Sequence, residues 1–110
     1  MIDKNGRPVT TFGTNGFVKI GAVVSSISVD IQDNIFAAFG TFTNDEMNAS
    51  ITKLNSVGRF VRSFGSNGIA ANVLTNLNND EDILFVEMVL DTVGNIVVVG
   101  SPYYNDEITS

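Results

Sequence analysis

The chain has no cysteine, no histidine and no tryptophan among its 110 residues. Without cysteine there is no disulfide to staple a small fold and no thiolate to act as a nucleophile. Without histidine the chain lacks the commonest general base and the commonest metal ligand of proteins. These absences predict a protein that is not an enzyme and that needs no cofactor.

Positive charge is scarce, with 6 lysine and arginine residues against 12 acidic ones and a formal net charge of −6. Such a surface would repel a phosphate backbone, so nucleic acid is not an expected partner. No run approaches the roughly 18 apolar residues of a membrane-spanning helix, so membrane insertion is not expected either.

What the sequence does contain is an internal repeat. Residues 6–16 read GRPVTTFGTNG, and residues 58–68, which lie 52 positions further on, read GRFVRSFGSNG. The pattern Asp-x-x-x-Asn-Ile at residues 30–35 recurs 61 positions later at residues 91–96. The offset grows by nine residues, which predicts an insertion after Gly68 and a larger loop near residues 69–82. We therefore divide a single domain, residues 1–110, into units of about 1–52 and 53–110.

Each unit is predicted to consist of strands, because short runs rich in Val, Ile, Phe and Thr alternate with Gly, Asn and Asp. One succession of such runs, between residues 26 and 65, is SISVDIQ, NIFAAFGTF, ASITKLN and RFVRSFG. Ile27, Val29 and Ile31 alternate onto one face, and the apolar run IVVV at residues 96–99 predicts a strand buried on both faces. A repeat of this size with about four strands matches one blade of a β-propeller. The predicted fold is all-β, with two tandem four-stranded blade-type repeats, as a partial propeller or as a ring completed by oligomerisation.

The repeated motif resembles the delta-60 repeat of bacterial proteins. In the second unit the resemblance rests on Leu54-Asn55, Gly58, Phe64-Gly65, Asn67-Gly68, Gly94-Asn95-Ile96 and Val97-Val98-Val99-Gly100. In the first unit it rests on Ile2-Asp3, Gly6, Phe12-Gly13, Asn15-Gly16 and Asn34-Ile35, with Asp33-Asn34 where the family usually has Asp-Gly. The resemblance implies tandem propeller blades and an extracellular or cell-surface protein. It implies no catalytic residues, because the family shares none.

The residues at matched positions of the two units are predicted to be structural anchors. They are Phe12, Gly13, Gly16, Phe64, Gly65 and Gly68. The two phenylalanines are expected in the core between blades rather than stacked on a ligand. Arg7 and Arg59, which follow the turn glycines, are expected to make a structural hydrogen bond or a surface ion pair.

Acidic residues supply the remaining candidates. Asp80 and Asp82, in the cluster at residues 78–82, form a weak candidate calcium site, although a solvated loop is favoured over it. Asp30 and Asp91 recur one per unit, and we expect them to cap turn amides or to act as edge charges. The triplets Asn44-Asp45-Glu46 and Asn105-Asp106-Glu107 are expected to be polar turns between strands.

Tyr103 and Tyr104 form the only tyrosine pair and are a possible ligand contact, for example by stacking on a sugar. In the repeat, Met1 aligns with Lys53 and Ser110 aligns with Ala49, so both ends fall in one predicted strand. We therefore expect either a fragment of a longer array or two-blade chains that close a ring by exchanging strands. Open strand edges and open apolar faces predict a homo-oligomer.

The expected function is that of a non-enzymatic structural or protein-interaction module. It is built of β-propeller blades and is either a fragment of, or an assembly unit for, a larger bacterial repeat protein. The alternative is a carbohydrate-binding, lectin-like propeller formed by several two-blade chains.

Overall fold

The computed structural model describes residues 1–20, 24–43, 46–74 and 81–104, with side chains at residues 1–20, 24–40, 48–71, 73 and 87–100. These residues form strands and turns and include no helix, so none of them lies in a helix that could cross a membrane. The strands are β1 (Val24–Val29), β2 (Ile35–Thr43), β3 (Glu46–Leu54), β4 (Ile69–Leu74), β5 (Glu81–Leu90) and β6 (Ile96–Tyr104). The predicted all-β class is confirmed.

The strands form two antiparallel sheets in which chain neighbours pair. The first sheet has the order β1-β2-β3-β4, and the second pairs β5 with β6. Each sheet begins with a hairpin, and the two hairpins are equivalent. Val29 pairs with Ile35 in the hairpin of β1 and β2, and Leu90 pairs with Ile96 in the hairpin of β5 and β6. Only the first sheet has the four strands predicted for a blade. The second has two among the described residues.

The sheet boundaries differ from the boundaries of the sequence period. The expected division between residues 52 and 53 falls inside β3 (Glu46–Leu54), so the first sheet runs from one unit into the next. The loop predicted near residues 69–82 is also too long, because β4 (Ile69–Leu74) lies within that range and β5 begins at Glu81. Ala70, Ala71 and Asn72 have low strand propensity, which made β4 hard to distinguish from a loop by composition.

The prediction of a strand at RFVRSFG, residues 59–65, is wrong. Phe60 forms only an isolated bridge with Leu54, and tight turns follow it. The backbone has φ angles of +60° at Gly65, +55° at Asn67 and +97° at Gly68, which lie outside the extended region. The chain therefore turns back toward β4 where the apolar pattern alone suggested a strand.

The two sheets stack through an apolar core. One face of the first sheet contributes Phe36, Ala38, Ala49 and Ile51, and we call this its front face. From the second sheet, Met88 joins this cluster, and Leu90, Ile96 and Val98 pack against it. Phe64 closes one side, with its ring 5.7 Å from that of Phe36 in an edge-to-face arrangement.

The opposite side of the first sheet is its back face, which strand alternation assigns to Ile27, Val29, Ile35 and Ala37. Met88, Leu90, Ile96 and Val98 follow these four residues by 61 positions, so they form the back face of the second sheet. The front face of one sheet therefore packs on the back face of the next.

Two expectations about strand faces are wrong. Ile31 does not continue the β1 stripe, since it lies beyond the strand in a turn and is 100% exposed. The IVVV strand is covered on one face only, because Val97 and Val99 on the front face are 48% and 64% exposed.

Candidate functional site

A single five-residue turn occurs four times in the described residues, at residues 3–7, 30–34, 55–59 and 91–95. In each, the amide of the first residue donates to the carbonyl oxygen of the fifth, over 2.8–3.0 Å. One side-chain oxygen of the first residue accepts the amides of the third and fifth residues. The first residues are Asp3, Asp30, Asn55 and Asp91. An Asp or Asn side chain can satisfy turn amides in this way, which accounts for the residue type at that position.

The fourth residue of each turn has a positive φ, between +66° and +95°. Three of the turns place glycine there, and the turn at residues 30–34 uses Asp33 at φ +66°. Aspartate is one of the few non-glycine residues that tolerate this region. The departure of Asp33-Asn34 from the expected Asp-Gly therefore leaves the turn geometry unchanged.

The turns at residues 30–34 and 91–95 lie side by side at one end of the stacked sheets and flank a cleft of about 450 Å³. Its floor includes Phe36 and Leu90, and its rim carries the turn residues Ile31 and Val93, which are 100% and 80% exposed. Asp30 and Asp91 both line the cleft. The cleft is thus mostly apolar, with one carboxylate on each side.

Both carboxylates are engaged by their own turns. Asn34 Nδ2 donates to Asp30 Oδ2 over 3.0 Å. This hydrogen bond holds the pKa of Asp30 below its ordinary value of 3.8, and the amides of Asn34 and Gln32 and the charge of Lys53 act in the same direction. Partial desolvation of the carboxylate opposes them but does not reverse the shift. The pKa of Asp91 is lowered in the same way, first by Asn95 Nδ2 at 2.9 Å and then by turn amides. The expectation that these two aspartates cap turn amides is confirmed.

This arrangement holds the two carboxylates charged and fixed by hydrogen bonds. A general acid needs the opposite environment, one that raises its pKa toward neutrality. Among the residues that the structure describes, no group of three or more acidic side chains comes together to hold a metal ion. The cleft can take an apolar group between two fixed negative charges.

The predicted anchors occupy equivalent places in the two units. Phe12 is 8% exposed, and Phe64 packs against the core cluster, so both phenylalanines contribute to the interior. The amide of Gly16 donates to the carbonyl oxygen of Phe12, as that of Gly68 does to Phe64. A Cβ on Gly13 or Gly65 would overlap the carbonyl oxygen of the residue four positions later. Glycine at these two positions is required by the turn, as the repeat implies.

Other predicted residues lie apart from the cleft or outside the description. Arg7 and Arg59 are exposed, and their backbone amides belong to the turns described above. Asp82 pairs with Tyr103 across β5 and β6, but the side chains of both lie outside the described residues, as does that of Tyr104. Glu46 begins β3, whereas Asn44, Asp45, Asp80 and residues 105–107 lie outside the described residues altogether.

A contiguous exposed apolar surface lies on the front face of the second sheet, where the sequence predicts a strand buried on both faces. Val89, Val97 and Val99 lie together there, since Val89 pairs with Val97 and Glu87 pairs with Val99. Their exposed fractions are 60%, 48% and 64%. The back face of the first sheet is open at its β1 side, where Ile27 is 62% and Val29 is 56% exposed.

In comparisons with known proteins, no family model, curated protein or solved structure matches the chain.

Proposed function

We propose that the chain is a non-enzymatic structural or protein-interaction module whose units are β-propeller blades of the delta-60 kind. It works by association, with further copies of itself and with other proteins, through its open sheet faces. The observation that carries the proposal is the cluster of Val89, Val97 and Val99 on an open strand face. Contiguous exposed apolar side chains on a folded protein mark interaction surfaces.

The stacking of the sheets supports the blade assignment. Residues at equivalent positions form the two back faces, and the front face of one sheet packs on the back face of the next. Units that stack in this repeating way bury their faces only against neighbours of the same kind.

The composition and the cleft support a role without catalysis. The sequence supplies no histidine or cysteine. Asp30 and Asp91, the two carboxylates of the cleft, are fixed by hydrogen bonds from their turns. The carbohydrate-binding alternative rested on Tyr103 and Tyr104, and no described side chain favours it.

The proposal is tested by measuring the mass of the chain in solution with light scattering over a concentration series. We expect assemblies larger than one chain at high micromolar concentration. Changing Val97 and Val99 together to Thr keeps the shape of the side chains and weakens the apolar contact. The assemblies of this variant should therefore dissociate at a higher protein concentration than those of the wild type. The matched control is Val57→Thr, at a position 46% exposed in the turn at residues 55–59. A wild-type chain that stays monomeric at the highest concentration would overturn the proposal.

A further inference from the structure

The contact between the two sheets joins a front face to a back face, and the same pairing of faces can form between two copies of the chain. Within the chain, Phe36 and Ala38 on the front face of the first sheet meet Met88 and Leu90 on the back face of the second. These four side chains are buried or half-buried. The contact is heterologous, since it joins two different faces.

The corresponding residues on the outer faces are open. Ile27 and Val29 occupy the positions of Met88 and Leu90, and yet Ile27 is 62% exposed where Met88 is 4% exposed. Val97 and Val99 occupy the positions of Phe36 and Ala38. Their exposed fractions are 48% and 64%, against 5% and 0% for Phe36 and Ala38. Each outer face thus carries apolar residues where its counterpart inside the chain is covered.

The N-terminal segment, residues 1–20, shows the same mismatch. It repeats the hydrogen bonds of residues 53–69, and the amide of Gly13 holds it against the carbonyl oxygen of Val57. Ile2 occupies the position of Leu54, but Ile2 is 65% exposed and Leu54 is 3% exposed. Leu54 is covered and pairs with Ile35 on β2.

The residue equivalent to Ile35 is Ile96 on β6. Among the described residues, β6 pairs only with β5, and no described strand pairs with its other edge. An unpaired strand edge accepts a further strand. Ile2 and Ile96 are therefore the two halves of a pair that the first sheet makes internally and that a single copy does not make.

We infer that copies of this chain associate head to tail. The front face of the second sheet (Val89, Val97, Val99) of one copy covers the back face of the first sheet (Ile27, Val29) of the next, and Ile2 of that next copy lies beside Ile96. This inference rests on the proposed function, which requires self-association but leaves its geometry open. Because the interface is heterologous, repetition closes a ring or extends an array and does not stop at a symmetric dimer.

The test uses two variants, each blocked on one face. The front-blocked chain carries Val97→Glu and Val99→Glu, and the back-blocked chain carries Ile27→Glu and Val29→Glu. Both sets of positions are exposed, and circular dichroism melting checks that each variant is folded. We expect each variant alone to be monomeric by light scattering. An equal mixture should form a dimer with one copy of each, because one intact front face meets one intact back face.

Orientation is tested by disulfide formation, since the natural chain has no cysteine. Ile2→Cys is placed on the front-blocked chain and Ile96→Cys on the back-blocked chain. Side chains of directly opposed strand residues lie close enough for a disulfide after a small adjustment. Oxidation of the mixture should give a cross-linked heterodimer. The matched control exchanges the two cysteines between the chains, and cross-linking should then fall at least tenfold.

The outcomes separate the two proposals. A monomeric wild type overturns the proposed function and this inference together. If the wild type assembles but the mixture does not dimerise, or a blocked variant pairs with itself, self-association stands and the head-to-tail geometry is wrong. Equal cross-linking in both cysteine placements likewise overturns the geometry.

Discussion

Thr52 Oγ1 donates a 2.8 Å hydrogen bond to the carbonyl oxygen of Gly68, and both residues are buried. The bond joins the C-terminal part of β3 to the turn that leads into β4. Replacing Thr52 with Val keeps the volume and leaves the Gly68 carbonyl without this donor, which should lower the free energy of unfolding by about 1–3 kcal/mol. Thr52→Ser retains the hydroxyl and should lose less. Urea unfolding at one fixed protein concentration measures both, and equal stability of the Val and Ser variants would contradict the prediction.

The turn after Phe64 requires a residue without a side chain. Gly65 has φ +60°, and a Cβ there would lie 2.7 Å from the Ala70 nitrogen. Gly65→Ala should therefore cost more than about 2 kcal/mol, since overlap with backbone adds to the strain of positive φ. Gly6→Ala is the control, because its φ is +84° but nothing lies within 4 Å of the added carbon. Thermal unfolding should show a larger loss for Gly65→Ala, and the reverse order would refute the overlap argument.

The acid stability of the protein should depend on Asp30 and Asp91. Their folded pKa values lie below 3.8, so the folded state favours the charged forms. The stability they contribute is fully present above the unfolded pKa and is lost as the pH falls through the folded pKa. The double variant Asp30→Asn, Asp91→Asn should be less stable than the wild type at neutral pH, and the gap should close in acid.

Unfolding midpoints measured from neutral pH down to about pH 2 test this dependence. Asn55→Asp supplies the converse, because it introduces a carboxylate at the equivalent position of a third turn. That variant should lose more stability in acid than the wild type. If the unfolding midpoints of the wild type and the double variant change with pH in parallel, then Asp30 and Asp91 do not contribute to the pH dependence of stability.

Met88 and Val89 are chain neighbours on opposite faces of β5, one 4% and the other 60% exposed. Met88→Ala leaves a cavity between the sheets and should cost about 2–5 kcal/mol. Val89→Ala removes surface side chain and should cost less than about 1 kcal/mol in the monomer. Denaturation at concentrations where light scattering shows single chains tests the pair. Similar losses would mean that the sheets do not stack through Met88.

Local features of the fold were predictable because they depend on residues close together in the chain. The turn at residues 91–95 is expected from Asp91, which is predicted to cap turn amides, and its geometry follows from Asp91 and Gly94 without distant contacts. RFVRSFG was misassigned because its apolar alternation suits a strand, whereas the positive φ angles of Gly65, Asn67 and Gly68 bend the backbone at its end. The apolar alternation favours a strand there and the turn residues favour a bend, and the structure has the bend.

The sequence alone established the all-β character, the two unequal copies of one repeat and the residues that form its turns, since strand propensity and positive φ are local properties. Only the tertiary structure decided that the first sheet crosses the repeat boundary and that front face packs on back face. It also decided that Ile27 is open while the equivalent Met88 is covered. Equivalent residues have the same local preferences. Their difference in burial therefore depends on whether another sheet packs on the face that carries them, and tertiary packing decides this.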